Sequence, residues 1–77
     1  MNAMRRKAIR EIQEKLLELH ELIENVYDDE SEAYENLPES LQYSERGETM
    51  QEAVDALDSA MSSCEEISEY LDTAMGA

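Results

Sequence analysis

Apolar residues recur along this chain at alternating steps of three and four. Ile9, Ile12, Leu16, Leu19, Ile23 and Val26 form a first run, and Met50, Val54, Leu57, Met61 and Cys64 form a second, whose register Leu71 and Met75 continue. This spacing lines one face of an α-helix and requires another helix to cover it. With Ile9 at heptad position a, Leu16 and Ile23 share that position and Ile12, Leu19 and Val26 take d. Ala8 and Leu22 at g widen the stripe toward a bundle face. It fades after Val26, where Glu30 and Ala33 occupy the next a and d positions. His20, Tyr27 and Tyr34 fall at e. In the second run Val54, Met61, Ser68 and Met75 take a, Met50, Leu57, Cys64 and Leu71 take d, and Ala53, Ala60, Ile67 and Ala74 fill g.

These patterns predict a helix over about 3–34, a connection over about 35–45 and a helix over about 46–74. Pro38 biases Leu37 away from helical backbone, so the first helix should stop before it. Pro38 then suits the first position of a short turn near 38–42 that would carry Leu41 inward. Ser44 fits an N-cap, with Glu45 and Glu48 near the positive end of the second helix. Gly47 weakens that first turn, and Gly76 reads as a stop signal. Two helices of matched length joined once predict an antiparallel, coiled-coil-like helical hairpin, and the fold class is all-α. The connection reads either as a packed cap or as a binding loop. Tyr27, Tyr34, Leu37, Leu41 and Tyr43 would form that cap or a partner-binding tip.

A single domain of 77 residues built from two helices has a thin core. One cysteine makes no internal disulfide, so self-association is the remaining route to stability. The expected assembly is a homodimer forming a four-helix bundle, or a higher oligomer of the same chain. Its seam would draw on Ile9, Ile12, Leu16, Leu19, Ile23, Val26, Val54, Leu57, Met61, Cys64 and Leu71.

Charge changes the picture. The chain holds 20 acidic and 6 basic residues, for a net charge of −14. Residues 1–15 carry five bases against two acids, and the remainder carries Arg46 against all the other acids. In a hairpin the basic start would lie beside Glu65, Glu66, Glu69 and Asp72 and favour the antiparallel register. Asp28, Asp29, Glu30, Glu32 and Glu35 crowd the C-terminal end of the first helix, where the helix dipole disfavours anions. Either that end frays, or its acids are kept for a basic partner, with Tyr34 and Tyr43 as anchors.

Catalytic chemistry finds no support. One His, one Cys and two Gly assemble no nucleophile–base pair and no phosphate-cradling loop, so the protein is expected not to be an enzyme. No cofactor or metal is expected: His20 and Glu24 share a helix face that should point outward, and the acids at 28–32 lack a calcium loop's spacing. Cys64, in the stripe beside Glu65 and Glu66, reads as a core thiol suited to a reducing compartment. Charges interrupt the stretch after Arg5, Arg6 and Lys7, so no signal peptide or membrane span is predicted, and a cytoplasmic location follows.

The run Asn36-Leu-Pro-Glu-Ser-Leu-Gln42, with Ser44-Glu-Arg-Gly-Glu48 and the Ala/Glu-rich helix after it, resembles uncharacterised small acidic helical-hairpin proteins of Gram-positive bacteria and their phages. The resemblance covers most of the chain, and its specific part is the turn. It brings no activity and no binding residues. It implies a mobile-element setting, in which small acidic proteins inhibit host machinery. The function expected is therefore a non-enzymatic module that presents an acidic surface to a basic protein, in one form as a nucleic-acid mimic, without binding nucleic acid or membrane itself. Two alternatives stand beside it. One is an oligomeric small-molecule or nucleotide-binding protein using Arg5, Arg6, Lys7 and Arg10 as an anion site. The other is a structural coiled-coil subunit.

Overall fold

The computed structural model describes residues 1–77 and is all-helical: α1 spans Ala3–Glu35, α2 Glu39–Gln42 and α3 Glu45–Gly76. The two long helices lie along each other. Arg6 reaches Met75, Gln13 reaches Ser68 and Asp72, and His20 reaches Glu65, so α1 and α3 run in opposite directions. The result is a rod of 58 × 16 × 11 Å with a radius of gyration of 17.4 Å. A compact chain of this length would have about 11–12 Å.

Local chemistry sets the boundaries. The Asn2 side chain accepts from the Arg5 N–H at 2.8 Å and caps α1. At the other end, the Gln42 side-chain amide donates to the carbonyls of Tyr34 (3.4 Å) and Leu37 (3.2 Å), which closes the end of α1 onto α2. Ser44 caps α3 by accepting from the Gly47 N–H at 3.4 Å. α1 stays helical through Glu35 despite its acidic end.

Pro38 opens the short turn as the N-cap of α2, its carbonyl accepting from the Leu41 and Gln42 N–H groups. Two local readings are corrected. Leu41 does not turn inward: it is exposed, and Leu37 and Gln42 take the half-buried positions. Gly76 does not stop α3, which includes it, because nothing there adopts the left-handed backbone of a glycine stop.

Only Gly47 and Cys64 are buried. The contact between α1 and α3 is a single seam. On α3 it uses the a and d positions, from Met50 and Val54 to Leu71 and Met75, all half-buried except Cys64. On α1 it uses a and e: Ile9, Gln13, Leu16, His20, Ile23, Tyr27 and Tyr34 are half-buried, with Glu30 on the same line. The d residues Ile12, Leu19 and Val26 remain exposed. A stripe as wide as that of α1 cannot turn wholly toward one neighbour, and here its a edge is used and its d edge is left over.

Candidate functional site

The seam divides the rod into two sides. Gln13 and His20 on α1 and Glu65 and Asp72 on α3 meet on one side. The Gln13 amide donates to Asp72 Oδ1 at 2.7 Å and to the Ser68 carbonyl at 3.2 Å. His20 Nε2 lies 3.4 Å from Glu65 Oε1, and its Nδ1 lies 3.9 Å from Glu24 Oε2. The His20 side chain is 23% exposed, so it does not point outward as its e position suggested. The cause is the a/e seam, which rotates e toward α3. Gln13, Leu16, Leu17, His20, Cys64, Glu65 and Ser68 line a shallow groove of about 200 Å³ here. His20, Glu24 and Glu65 do not come together as a group that could hold a metal ion.

On the other side the apolar edges lie together. Helices running in opposite directions place the edges reached by stepping back from the seam on the same face. Those edges are d and g on α1 and g on α3. Ile12 (46% exposed), Leu19 (47%), Leu22 (62%) and Val26 (54%) therefore adjoin Ile67 (45%) and the half-buried Ala53 and Ala60.

The turn end gathers the predicted partner residues. Asp28, Asp29, Glu32 and Glu35 are exposed, and Glu30 and Tyr34 are half-buried. The Tyr34 ring sits on the seam line and its carbonyl accepts from Gln42, so it contributes to closing the end of α1. Tyr43 is 79% exposed. Tyr70, not singled out from the sequence, is also exposed, and its hydroxyl lies 3.3 Å from Glu66 Oε1. Its c position, off the stripe, gave no signal.

At the open end Arg5, Lys7 and Arg10 are exposed, while Arg6 is half-buried and donates from Nε to the Met75 carbonyl at 3.0 Å. Arg6 thus satisfies the C-terminal end of α3, which has no basic residue of its own in its last turn. The expected pairing of the basic start with Glu65, Glu66, Glu69 and Asp72 does not occur as ion pairs. The two contacts within 4 Å between a basic side chain and a carboxylate both use the His20 imidazole. Every Asp and Glu except Glu30 is exposed. No helix is long and apolar enough to cross a membrane. No family model, curated protein or solved structure matches this chain.

Proposed function

We propose that this protein is a non-enzymatic interaction module: an antiparallel helical hairpin that self-associates into a four-helix bundle and presents an acidic surface to a basic protein. The observation that supports this reading is the state of the carboxylates. They are almost all exposed, and no Lys or Arg holds one in an ion pair. Such a surface keeps its field available for long-range attraction of positive charge.

The spacing of that charge gives the reading a scale. A net −14 over 58 Å is one charge per about 4 Å of length. One strand of DNA carries a phosphate per ~3.4 Å. The acid excess belongs to residues 16–77, since residues 1–15 carry five bases against two acids. The partner then engages the turn end, through Asp28, Asp29, Glu30, Glu32 and Glu35 beside Tyr43, and a basic nucleic-acid-binding groove is the class of surface that fits. Occupying such a groove would make the protein a decoy that inhibits its partner.

Affinity capture from the native host at low ionic strength, followed by mass spectrometry, tests the proposal. The expected captures are basic proteins released by added salt. A variant with Asp28, Asp29, Glu32 and Glu35 replaced by the corresponding amides should lose them. A partner whose affinity is the same at low and high salt would overturn the reading.

A further inference from the structure

We infer that the exposed edge of α1 is a docking face for a second copy of this chain, laid antiparallel so that the basic start of each α1 meets the acidic end of the other copy's α1. The inference rests on the self-association proposed above and specifies its face and its orientation.

Surface area points to an occupant. The chain exposes 5824 Å². A globular monomer of 8.8 kDa would expose about 4,800 Å². The excess, roughly 1,000 Å², follows from the elongated shape and leaves enough surface for a second copy to cover the ~800 Å² that each partner contributes to an interface of standard size. With two buried residues in the whole chain, the hairpin has little core of its own.

Composition points to the face. Along the d and g positions of α1 run Arg5, Ala8, Ile12, Lys15, Leu19, Leu22, Val26, Asp29 and Ala33, with one acid among them. The g edge of α3 runs Arg46, Ala53, Ala60, Ile67 and Ala74, with none. In a chain with 20 acids, the side carrying the exposed Ile12, Leu19, Leu22 and Val26 is also the side that acids avoid. Approaching a basic partner does not call for such a face. Approaching another −14 chain does, because like charges facing each other across an interface are costly. The alanines on α3 let backbones come close.

Charge then fixes the orientation. The N-terminal end of α1 carries Arg5, Arg6, Lys7 and Arg10, and its last turns carry Asp28, Asp29, Glu30, Glu32 and Glu35, with no base in the final turn. Both ends hold the sign that the helix dipole disfavours. Within one chain α3 offsets this at the open end alone. Two α1 helices laid antiparallel about Leu19 resolve it at both ends: Arg5 of one copy comes level with Ala33 of the other, one helical turn from Asp29, and Ile12 comes level with Val26. Aligning the turn ends instead would stack the two acidic tips.

The test uses the full chain. Sedimentation equilibrium at about 10 μM should give twice the 8.8 kDa chain mass. Leu19→Glu, off the seam within the chain, should convert it to monomer with weakened helical circular dichroism, since the hairpin has little core of its own. Leu17→Glu, on an exposed site of the opposite side, should leave the dimer intact. In a Cys64→Ser background, Leu19→Cys should form a disulfide-linked dimer with oxidised glutathione, because a two-fold axis at this position brings the two residues together. Ile12→Cys and Val26→Cys should cross-link when mixed but not singly. A monomer at this concentration overturns both the self-association and the docking face. A dimer in which Leu19→Cys cross-links to Ile67→Cys and not to itself overturns the orientation alone and leaves the self-association standing. A dimer that survives Leu19→Glu overturns the face.

Discussion

A β-carbon placed on Gly47 would lie 2.1 Å from the carbonyl oxygen of Gln42. It would also lie 2.6 Å from the Leu41 carbonyl oxygen, so the first turn of α3 presses directly on the backbone of α2. Helix propensity alone favours Ala over Gly by about 0.5–1 kcal/mol. Sterics point the other way and win here, because the obstructing atoms are backbone and no side-chain rotamer relieves them. Forcing bulk into such a contact costs ~1–3 kcal/mol. Gly47→Ala should therefore lower the urea midpoint, followed by circular dichroism at fixed protein concentration. A raised midpoint would mean that the connection shifts freely.

Gln13 is the principal side-chain link between α1 and α3, through its bonds to Asp72 and the Ser68 carbonyl. A net hydrogen bond contributes ~0.5–1.5 kcal/mol, and solvent access places these toward the lower end. Gln13→Ala is expected to cost about 1 kcal/mol in thermal unfolding. A double-mutant cycle with Asp72→Ala should show coupling of about 0.5 kcal/mol or more, and strict additivity would show that the bond contributes nothing.

The positions of the helices, the break at Pro38 and the cap at Ser44 were readable from the sequence, because each depends on residues within one or two turns. The rotation of α1 was not. Its apolar d positions and its Gln13–His20–Tyr27 line at e both recur every seven residues, so either edge could have joined the seam. Periodicity reports how wide a stripe is, and the neighbours decide which part of it is covered. The seam pairing Gln13 with Asp72 and setting His20 beside Glu65 fixed that choice. Gly47 was opaque for the same reason: its need for a missing β-carbon arises from Gln42, folded back against it by the turn. The acidic tip was readable as composition, and the half-buried position of Tyr34 within it was not.

The C-terminal end of α1 separates stability from recognition. Glu32 and Glu35 are exposed and sit where the dipole disfavours anions. Replacing both with Lys should stabilise the helix by about 0.3–1 kcal/mol per site at low salt. The same change should weaken capture of a basic partner. Higher melting temperature with undiminished partner binding would remove these two residues from the contact surface. A lower melting temperature would show that the tip is held by interactions other than those of the α1 dipole.

Salt should act in opposite directions on the protein and on its complex. The screening length falls from ~30 Å at 0.01 M to ~3 Å at 1 M. The rod is 16 Å and 11 Å across, so at low salt each exposed carboxylate feels others around the whole circumference. With no Lys or Arg pairing them, this repulsion opposes the folded state. The thermal midpoint should accordingly rise as NaCl is added, although affinity for a basic partner falls. Added salt also strengthens apolar burial, so the comparison that isolates charge is with the variant amidated at Asp28, Asp29, Glu32 and Glu35. Its midpoint should start higher at low salt and rise less. Equal slopes for the two chains would show that the acids at the turn end do not repel one another enough to matter, and that their density is not a cost the fold has to carry.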